Sequence, residues 1–434
     1  MAYVVGLVVL LVGLLVSIAL HEVGHMVPAK RFGVRVSQYM VGFGPTVWSR
    51  VRGETEYGVK GIPLGGYVRL IGMYPPKEAL GRPPRAGRFA ELVDGARQAS
   101  AEEIRPGEDT RAFYRLSAPK KIVVMLGGPM MNLVIAAVLL TVIMAGIGLP
   151  GSQATTTVGS VGQCVTTQPT DSCTAADPRS PAVQAGLRPG DRIVSWGPRQ
   201  ISSWSDVQTA IKDVPGENIP VVVERDGRTV TLHVSPVVAN RPVFGPDGTP
   251  KTDANGTLVV EPTRYVGFSP TAAIERQPLT AVPAALGNAL GQTVAIVATL
   301  PGRLVDVTKA ALGMQARSPS SVVGVVGVAR LAGEIGEAPI GLSQRIAGWL
   351  SILASLNIAL FVFNLIPLVP LDGGHVAGAI WEGARRAFAR WRGLPRPAPS
   401  DVARMVPVAY GVFLVLVAMS LVLVVADLVA PVRI

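Results

Sequence analysis

The strongly apolar stretches 1–20, 122–149, 346–371 and 405–426 each run for twenty or more residues without a charge. Each is long enough to cross a bilayer core as a helix, which takes about 20 residues. The first has no basic leading segment and no A-x-A site, so it reads as a retained span rather than a cleaved signal. Between the first two, residues 34–71 alternate in short runs of β-formers broken by glycine and proline (VGFGPTVW, then YGVKGIPLGGYVRL), which predicts hairpins. Residues 75–118 are rich in Pro, Arg and Glu without an apolar period, and read as a surface excursion, partly disordered.

After the second span the pattern becomes that of a small β-rich domain over 156–236. Its strands are expected at 157–161, 191–196, 220–225 and 229–234, with a hairpin turn at Arg225-Asp226-Gly227-Arg228. A helix fits 205–212, capped by Ser203 or Ser205. The run SPAVQAGLRPGD (180–191) resembles the PDZ-domain signature. A PDZ-like fold offers an edge strand and a groove for an extended peptide; the alternative is a structural cap with the groove occluded. Residues 237–275 read as extended linker. Those at 276–318 have helical apolar spacing interrupted by Pro and Arg, and are expected to lie on the membrane surface. The Gly/Val-rich run 322–334 reads as a re-entrant or docking segment.

Composition agrees with a membrane protein carrying soluble insertions. Of 434 residues, 49% are hydrophobic and 16% charged, with a mean hydropathy of +0.41. The net charge of +11 would suggest nucleic acid in a soluble protein, but its distribution supplies a simpler account. Lys30, Arg31, Arg35, Arg50, Arg52, Lys60, Arg69, Lys120 and Lys121 lie between spans one and two, and Arg385, Arg386, Arg390, Arg392, Arg396 and Arg404 between spans three and four. The positive-inside rule then turns both loops to the cytoplasm, and both termini and the region 150–345 outward. The two cysteines, Cys164 and Cys173, fall in that outer region, either as a disulfide or as two free thiols.

His21-Glu22-Val23-Gly24-His25 is an H-E-x-x-H motif. On a helix its two imidazoles share a face and can bind one zinc, with Glu22 beside the metal's water. It continues an apolar span, where ionisable residues are expensive and kept chiefly for function. A catalytic zinc takes a third protein ligand. Glu54 and Glu56 lie in a loop; Asp372, at the end of span three after a stretch broken by Pro367 and Pro370, is a candidate, and His375 competes with it. His233, in a strand of the β domain, reads as a structural histidine.

HEVGH in span one, GGPMMN (127–132) in span two and NLIPLVPLDGG (364–374) in span three together resemble the site-2 protease family of intramembrane zinc metalloproteases, and specifically its bacterial envelope-stress regulators. The likeness covers nearly the whole chain, with one PDZ-like domain where the better-known enterobacterial relatives carry two. It implies Zn2+ as cofactor, His21, His25 and Asp372 as ligands and Glu22 as catalytic base. The fold class implied is a polytopic α-helical membrane protein of four transmembrane helices, with a membrane-associated β-hairpin region and an inserted extracytoplasmic PDZ-like domain. Its parts are span one (1–30), the hairpin region (31–74), a cytoplasmic loop (75–118), span two (119–150), the PDZ-like domain (156–236), linker and surface helices (237–345), span three with the LDG motif (346–375) and span four (405–429). PLGGYV (63–68) resembles the family's membrane-entering hairpin, so Gly65 and Gly66 are expected to hold an unwound substrate as an added strand. Asn364 is expected to hydrogen-bond the substrate backbone or the developing oxyanion, or else to make an interhelical bond. Gly128 and Asn132 are expected to form a small-residue packing face. The partners implied are the lipid bilayer and single-span membrane proteins, such as an anti-sigma factor already trimmed outside or leftover signal peptides. The competing function is a non-catalytic membrane scaffold using its PDZ-like domain.

Overall fold

The computed structural model describes residues 1–434 except 82–88, 166–172, 175–176, 244–250, 254–257, 319–320, 339 and 433–434. Two units emerge: Met1–Ile147 with Pro278–Ile434, and Gly148–Gln277. In chain order the first unit begins with α1 (Ala2–Arg31), β1 (Val36–Arg52), β2 (Thr55–Leu70), α2 (Lys77–Leu80), α3 (Ala90–Glu102) and α4 (Ala118–Thr141), the last extended by a π-helical turn at Val142–Ile147. The second unit holds β3 (Leu149–Val161), α5 (Pro181–Gln184), β4 (Arg192–Trp196), β5 (Arg199–Gln200), α6 (Trp204–Asp213), β6 (Ile219–Arg225), β7 (Arg228–Val234), β8 (Val237–Pro242), β9 (Val260–Tyr265) and β10 (Phe268–Glu275). The first unit resumes with α7 (Val282–Ala311), α8 (Val325–Glu337), α9 (Leu342–Asn364), α10 (Asp372–Trp391) and α11 (Val406–Val429).

Among the described residues five helices are long and apolar enough to cross a membrane: Ala2–Arg31, Ala118–Ile147, Leu279–Ala311, Leu342–Asn364 and Val402–Val429. Four match the stretches read as spans. The fifth contains α7, expected only as interrupted surface helix. It is continuous because Arg303, Asp306 and Lys309 fall in its last turns, and Pro301 is accommodated inside it.

Lipid gives little hydrophobic drive to helix association, so close backbone approach and polar bonds must hold the helices together. Both are present. At Gly24 and Gly127, α1 and α4 meet so closely that a Cβ on Gly127 would lie 2.0 Å from the Gly24 carbonyl oxygen. The contacts 24 with 127 and 25 with 124 run antiparallel. Between α1 and α9, Gly6 meets Trp349, Gly13 meets Leu353, and Asn357 Nδ2 donates to Ser17 Oγ at 2.9 Å, so these two helices run parallel. α8 packs its Ala332, Gly333 and Gly336 against Tyr3, Gly6 and Ala2 at the start of α1. This explains the Gly/Val-rich run: its small residues are a docking surface. Buried Asp427 of α11 accepts from the Gly324 and Gly327 amides at 2.9 and 2.8 Å and pairs with Arg317 at 2.8 Å.

The region 34–71 forms one long antiparallel hairpin whose strands bend. Residues 36–41 pair with 56–59 on one side and with 66–70 on the other, so 66–70 is an edge, paired on one side only among the described residues. Positive φ at Gly42 (92°) and Gly65 (96°) accommodates the bends. Within 75–118, residues 82–88 lie outside the described residues, and the rest includes the helices α2 and α3. Helix α3 is anchored by charge rather than by an apolar stripe, since the buried Arg97 bonds Asp94 and Asp401. Asp372, expected at the end of span three, is instead the first residue of α10: α9 stops at Asn364, and the turn through Pro367 and Pro370 separates the two.

The Gly148–Gln277 unit is a sheet in the order β10-β3-β4-β6-β7, with β5 paired to β4. Its core includes Val158, Ile193, Trp196, Val221, Val223 and Val234. The stretch expected as linker contributes the β8–β9 hairpin and β10, whose partner β3 lies more than a hundred residues earlier. Ser203 caps α6 in a capping box with Asp206, and bonds from Ser202 and Ser203 hold the Asp206 carboxyl down at about 2. Cys164 and Cys173 are joined in a disulfide.

Replacing Gly127 by Ala should force α1 and α4 apart and cost about 1–3 kcal/mol. Gly411→Ala, where a Cβ meets nothing within 4 Å, serves as control. Thermal unfolding in detergent should show a lowered midpoint for the first variant and not the second; equal midpoints would refute the contact.

Candidate active site

The apolar run that makes α1 a helix also fixes the geometry of its motif. His21 and His25 stand one turn apart with ring centroids 4.9 Å from each other. Asp372, at the first position of α10, completes a triangle: His21 Nε2 lies 3.3 Å from His25 Nε2, and Asp372 Oδ2 lies 3.5 and 3.3 Å from the two. A tetrahedral zinc with ligand bonds of about 2.0–2.1 Å spaces its ligands roughly 3.3–3.4 Å apart. Asp372 Oδ2 is buried without a hydrogen bond of acceptable geometry among the described residues. The donor set therefore fits a zinc ion. His375 lies in the same cavity, facing the Tyr74 ring at 6.4 Å, but outside this triangle.

The backbone around the histidines sets their tautomers. His25 Nδ1 donates to the Val124 carbonyl at 2.8 Å; because that oxygen can only accept, Nε2 keeps its lone pair for the triangle. Asn132 Nδ2 lies 3.1 Å from His21 Nδ1, while Asn132 Oδ1 is buried with no hydrogen bond among the described residues. With the amide turned over, Oδ1 accepts from His21 Nδ1–H, which leaves His21 Nε2 its lone pair for the triangle. Asn132 thus faces His21 rather than serving only as packing. Gly128 has a stricter role than a smooth face, since a Cβ there would lie 2.2 Å from His25 Nε2.

These groups open onto a cavity of about 560 Å³. Its walls are α1, the 66–70 edge of β2, α3 through Ala96, Ala99, Ser100 and Glu103, and the start of α10. Gly66 lines it, and a Cβ there would approach Glu22 Cγ to 3.3 Å. Gly65 does not line it; it sits at the bend, against Phe43. Asn364 ends α9 half-buried, outside the lining, with no side-chain hydrogen bond among the described residues. The interhelical bond considered for it is made by Asn357 instead. His233 lies on β7, in the other unit.

The profile of Peptidase family M50 matches residues 9–393. The chain belongs to that family. It is 35% identical to the zinc metalloprotease Rip1 of Mycobacterium tuberculosis over 100% of this chain and 99% of the relative. It is 32% identical to Rip1 of Mycolicibacterium smegmatis over the full length of both. Metalloprotease MmpA of Caulobacter vibrioides is 28% identical over 88% of each chain. This M50 member is accordingly a zinc metalloprotease of the site-2 protease type, and a multi-pass membrane protein.

Sequence reasoning missed what the M50 chain builds around the motif. Asn357 and Ser17 carry a signal in hindsight, being polar residues inside charge-free spans. The α3 wall carries none, because its anchor Arg97–Asp401 joins residues three hundred positions apart. Gly128→Ala should drive a methyl into the histidine pair and lower bound zinc at least about tenfold, the scale of supporting-shell losses. Metal analysis of purified protein checks this; full occupancy would place the ion elsewhere.

Proposed function

We propose that the protease hydrolyses peptide bonds in or near transmembrane segments of single-span membrane proteins, with His21, His25 and Asp372 holding zinc and Glu22 as general base. The observation that carries this reading is the triangle of three donor atoms 3.3–3.5 Å apart, with Glu22 on the same cavity wall. When bound, the ion supplies Lewis acidity, acidifying a water and polarising the scissile carbonyl. Glu22 takes the proton of the attacking water and passes it to the leaving amine. Asn132 and the Val124 carbonyl hold the two imidazoles in the tautomer that leaves Nε2 free.

A transmembrane substrate enters as a helix with its peptide bonds shielded, and must be extended before attack. The unpaired side of residues 66–70 lines the cavity and offers backbone groups to an added strand. Gly66 keeps that edge free of a side chain near Glu22, and Gly65 provides the bend that turns it inward.

The sidedness proposed follows from charge and helix direction. The basic end of α1 and the arginines of α10 face the cytoplasm, and the termini face outward. Four spans are favoured over five. α9 runs parallel to α1, so the chain must return outside between α4 and α9. α8, with 13 residues, is too short to supply a second crossing if α7 crossed. The disulfide of the Gly148–Gln277 unit suits an oxidising outer compartment. The SPAVQAGLRPGD run, with α5 capped by Ser180 and a turn into β4, supports a PDZ-like role for that unit. It would screen substrates trimmed outside, an anti-sigma factor or a signal-peptide remnant being the class proposed.

Purified wild type should cleave members of a single-span substrate panel. Glu22→Gln should keep its zinc yet lose activity at least about a hundredfold, the lower range for a general base. A chelator should abolish cleavage by the wild type. Cleavage that survives both would overturn the assignment.

A further inference from the structure

One face of α4 carries the buried Ala118, Lys121, Val124, Met125, Gly128 and Asn132, recurring at helical spacing. Its later members meet the motif of α1: Val124 and Asn132 bond the two imidazoles, and Gly128 lies against the His25 ring. Its earlier members meet α10. Glu382 accepts from Lys121 Nζ at 2.8 Å, and a Cβ on Gly383 would lie 3.3 Å from that of Ala118. Val376 packs on the apolar cluster that contains Val124 and Met125. α10 therefore runs antiparallel along α4 and arrives at the histidines with Asp372. All three donor atoms of the triangle are placed from one helix face.

The side chains of Lys121 and Glu382 are 7% and 1% exposed, and theirs is the only ion pair joining α4 to α10 among the described residues. Glu382 also pairs with Arg386 at 2.7 Å and accepts the Ser400 amide at 2.8 Å, so its carboxylate is held from three sides. A buried pair of this kind resists displacement, because parting the charges leaves each uncompensated away from water. α9 ends at Asn364, so α10 does not inherit its direction as a continuous helix would. From Glu382 to Asp372 the arm along α10 is about 15 Å at the helical rise. Over that arm a tilt of about 2° moves the carboxylate by about 0.5 Å, the tolerance of a metal site.

We propose that Lys121, through Glu382, is the positioning residue for the third ligand. The pair fixes α10 on the same face of α4 that fixes the histidines, and so sets the distance of Asp372 from His21 and His25. Lys121 does not line the catalytic cavity; it acts through the helix that Asp372 begins. This rests on the reading of Asp372 as a zinc ligand and extends it to a residue far from the ion.

The test measures zinc affinity by competition with a chromophoric chelator, on the full chain in neutral detergent, beside thermal midpoints of the zinc-free protein. Lys121→Met should bind zinc about tenfold more weakly, the low end for residues that orient ligands. Asp372→Ala should lose at least about a hundredfold, beyond the range of such supporting residues. Because Lys121 acts through Asp372, adding Lys121→Met to Asp372→Ala should cost less than about twofold more. Arg317→Met breaks the buried Arg317–Asp427 pair at α11, and should lower the midpoint while leaving zinc affinity unchanged. Lys121→Gln, which keeps a donor to Glu382 without the charge, carries the same titration if Lys121→Met does not fold. Unchanged affinity in the Lys121 variants, an additive loss in the double variant, or an equal loss in Arg317→Met overturns the positioning role. Wild-type affinity in Asp372→Ala overturns the ligand reading itself, and with it the role argued for Lys121.

Discussion

The close approach of α1 and α4 is the constraint on which the rest depends. With glycine at 24, 127 and 128, the two backbones touch without side chains between them, and the histidine rings fit against bare α4. That contact brings the Val124 carbonyl and the Asn132 amide to the imidazoles. A wider spacing would leave the two histidines as unsupported polar groups inside an apolar helix, which is costly in lipid. Helix packing and ligand orientation are therefore one problem with one solution.

The same reasoning accounts for where irregular backbone is allowed. The turn between α9 and α10 leaves helical hydrogen bonds unmade at the depth where a span should continue. Such backbone persists in a membrane protein only where protein covers it or it lines a cavity. Gly373 and Gly374 let the turn fold back onto the start of α10, a Cβ on either meeting Leu365, Ile366, Leu368 or Val369 within 2.7 Å. Breaking the helix there allows Asp372 to approach the histidines from a separate element.

Much of this was legible in the chain itself. Strongly apolar charge-free runs located four of the five long apolar helices found among the described residues, because a segment facing water rarely stays so apolar for twenty residues. The H-E-x-x-H spacing located two donors, because a helix has one geometry. Asp372 was singled out from His375 only through resemblance, and its element was misread: a proline-broken span and a new helix look alike in hydropathy. α7 was undervalued because a few charges near one end weighed against thirty residues of helix. β10 and α3 were missed for a shared reason. Both are held by partners far along the chain, β10 by β3 and α3 by Asp401, and local pattern carries no trace of distant pairing.

Residues 21 and 372 belong to opposite ends of the sequence, and no peptide bond or disulfide joins their helices directly. An ion in the triangle would do so, closing a ring of some 350 residues with coordinate bonds. Such a closure acts on the chain as a clasp as well as on the substrate as a reagent. The metal would then tether α10 to α1, and the architecture would be tightest when it is armed.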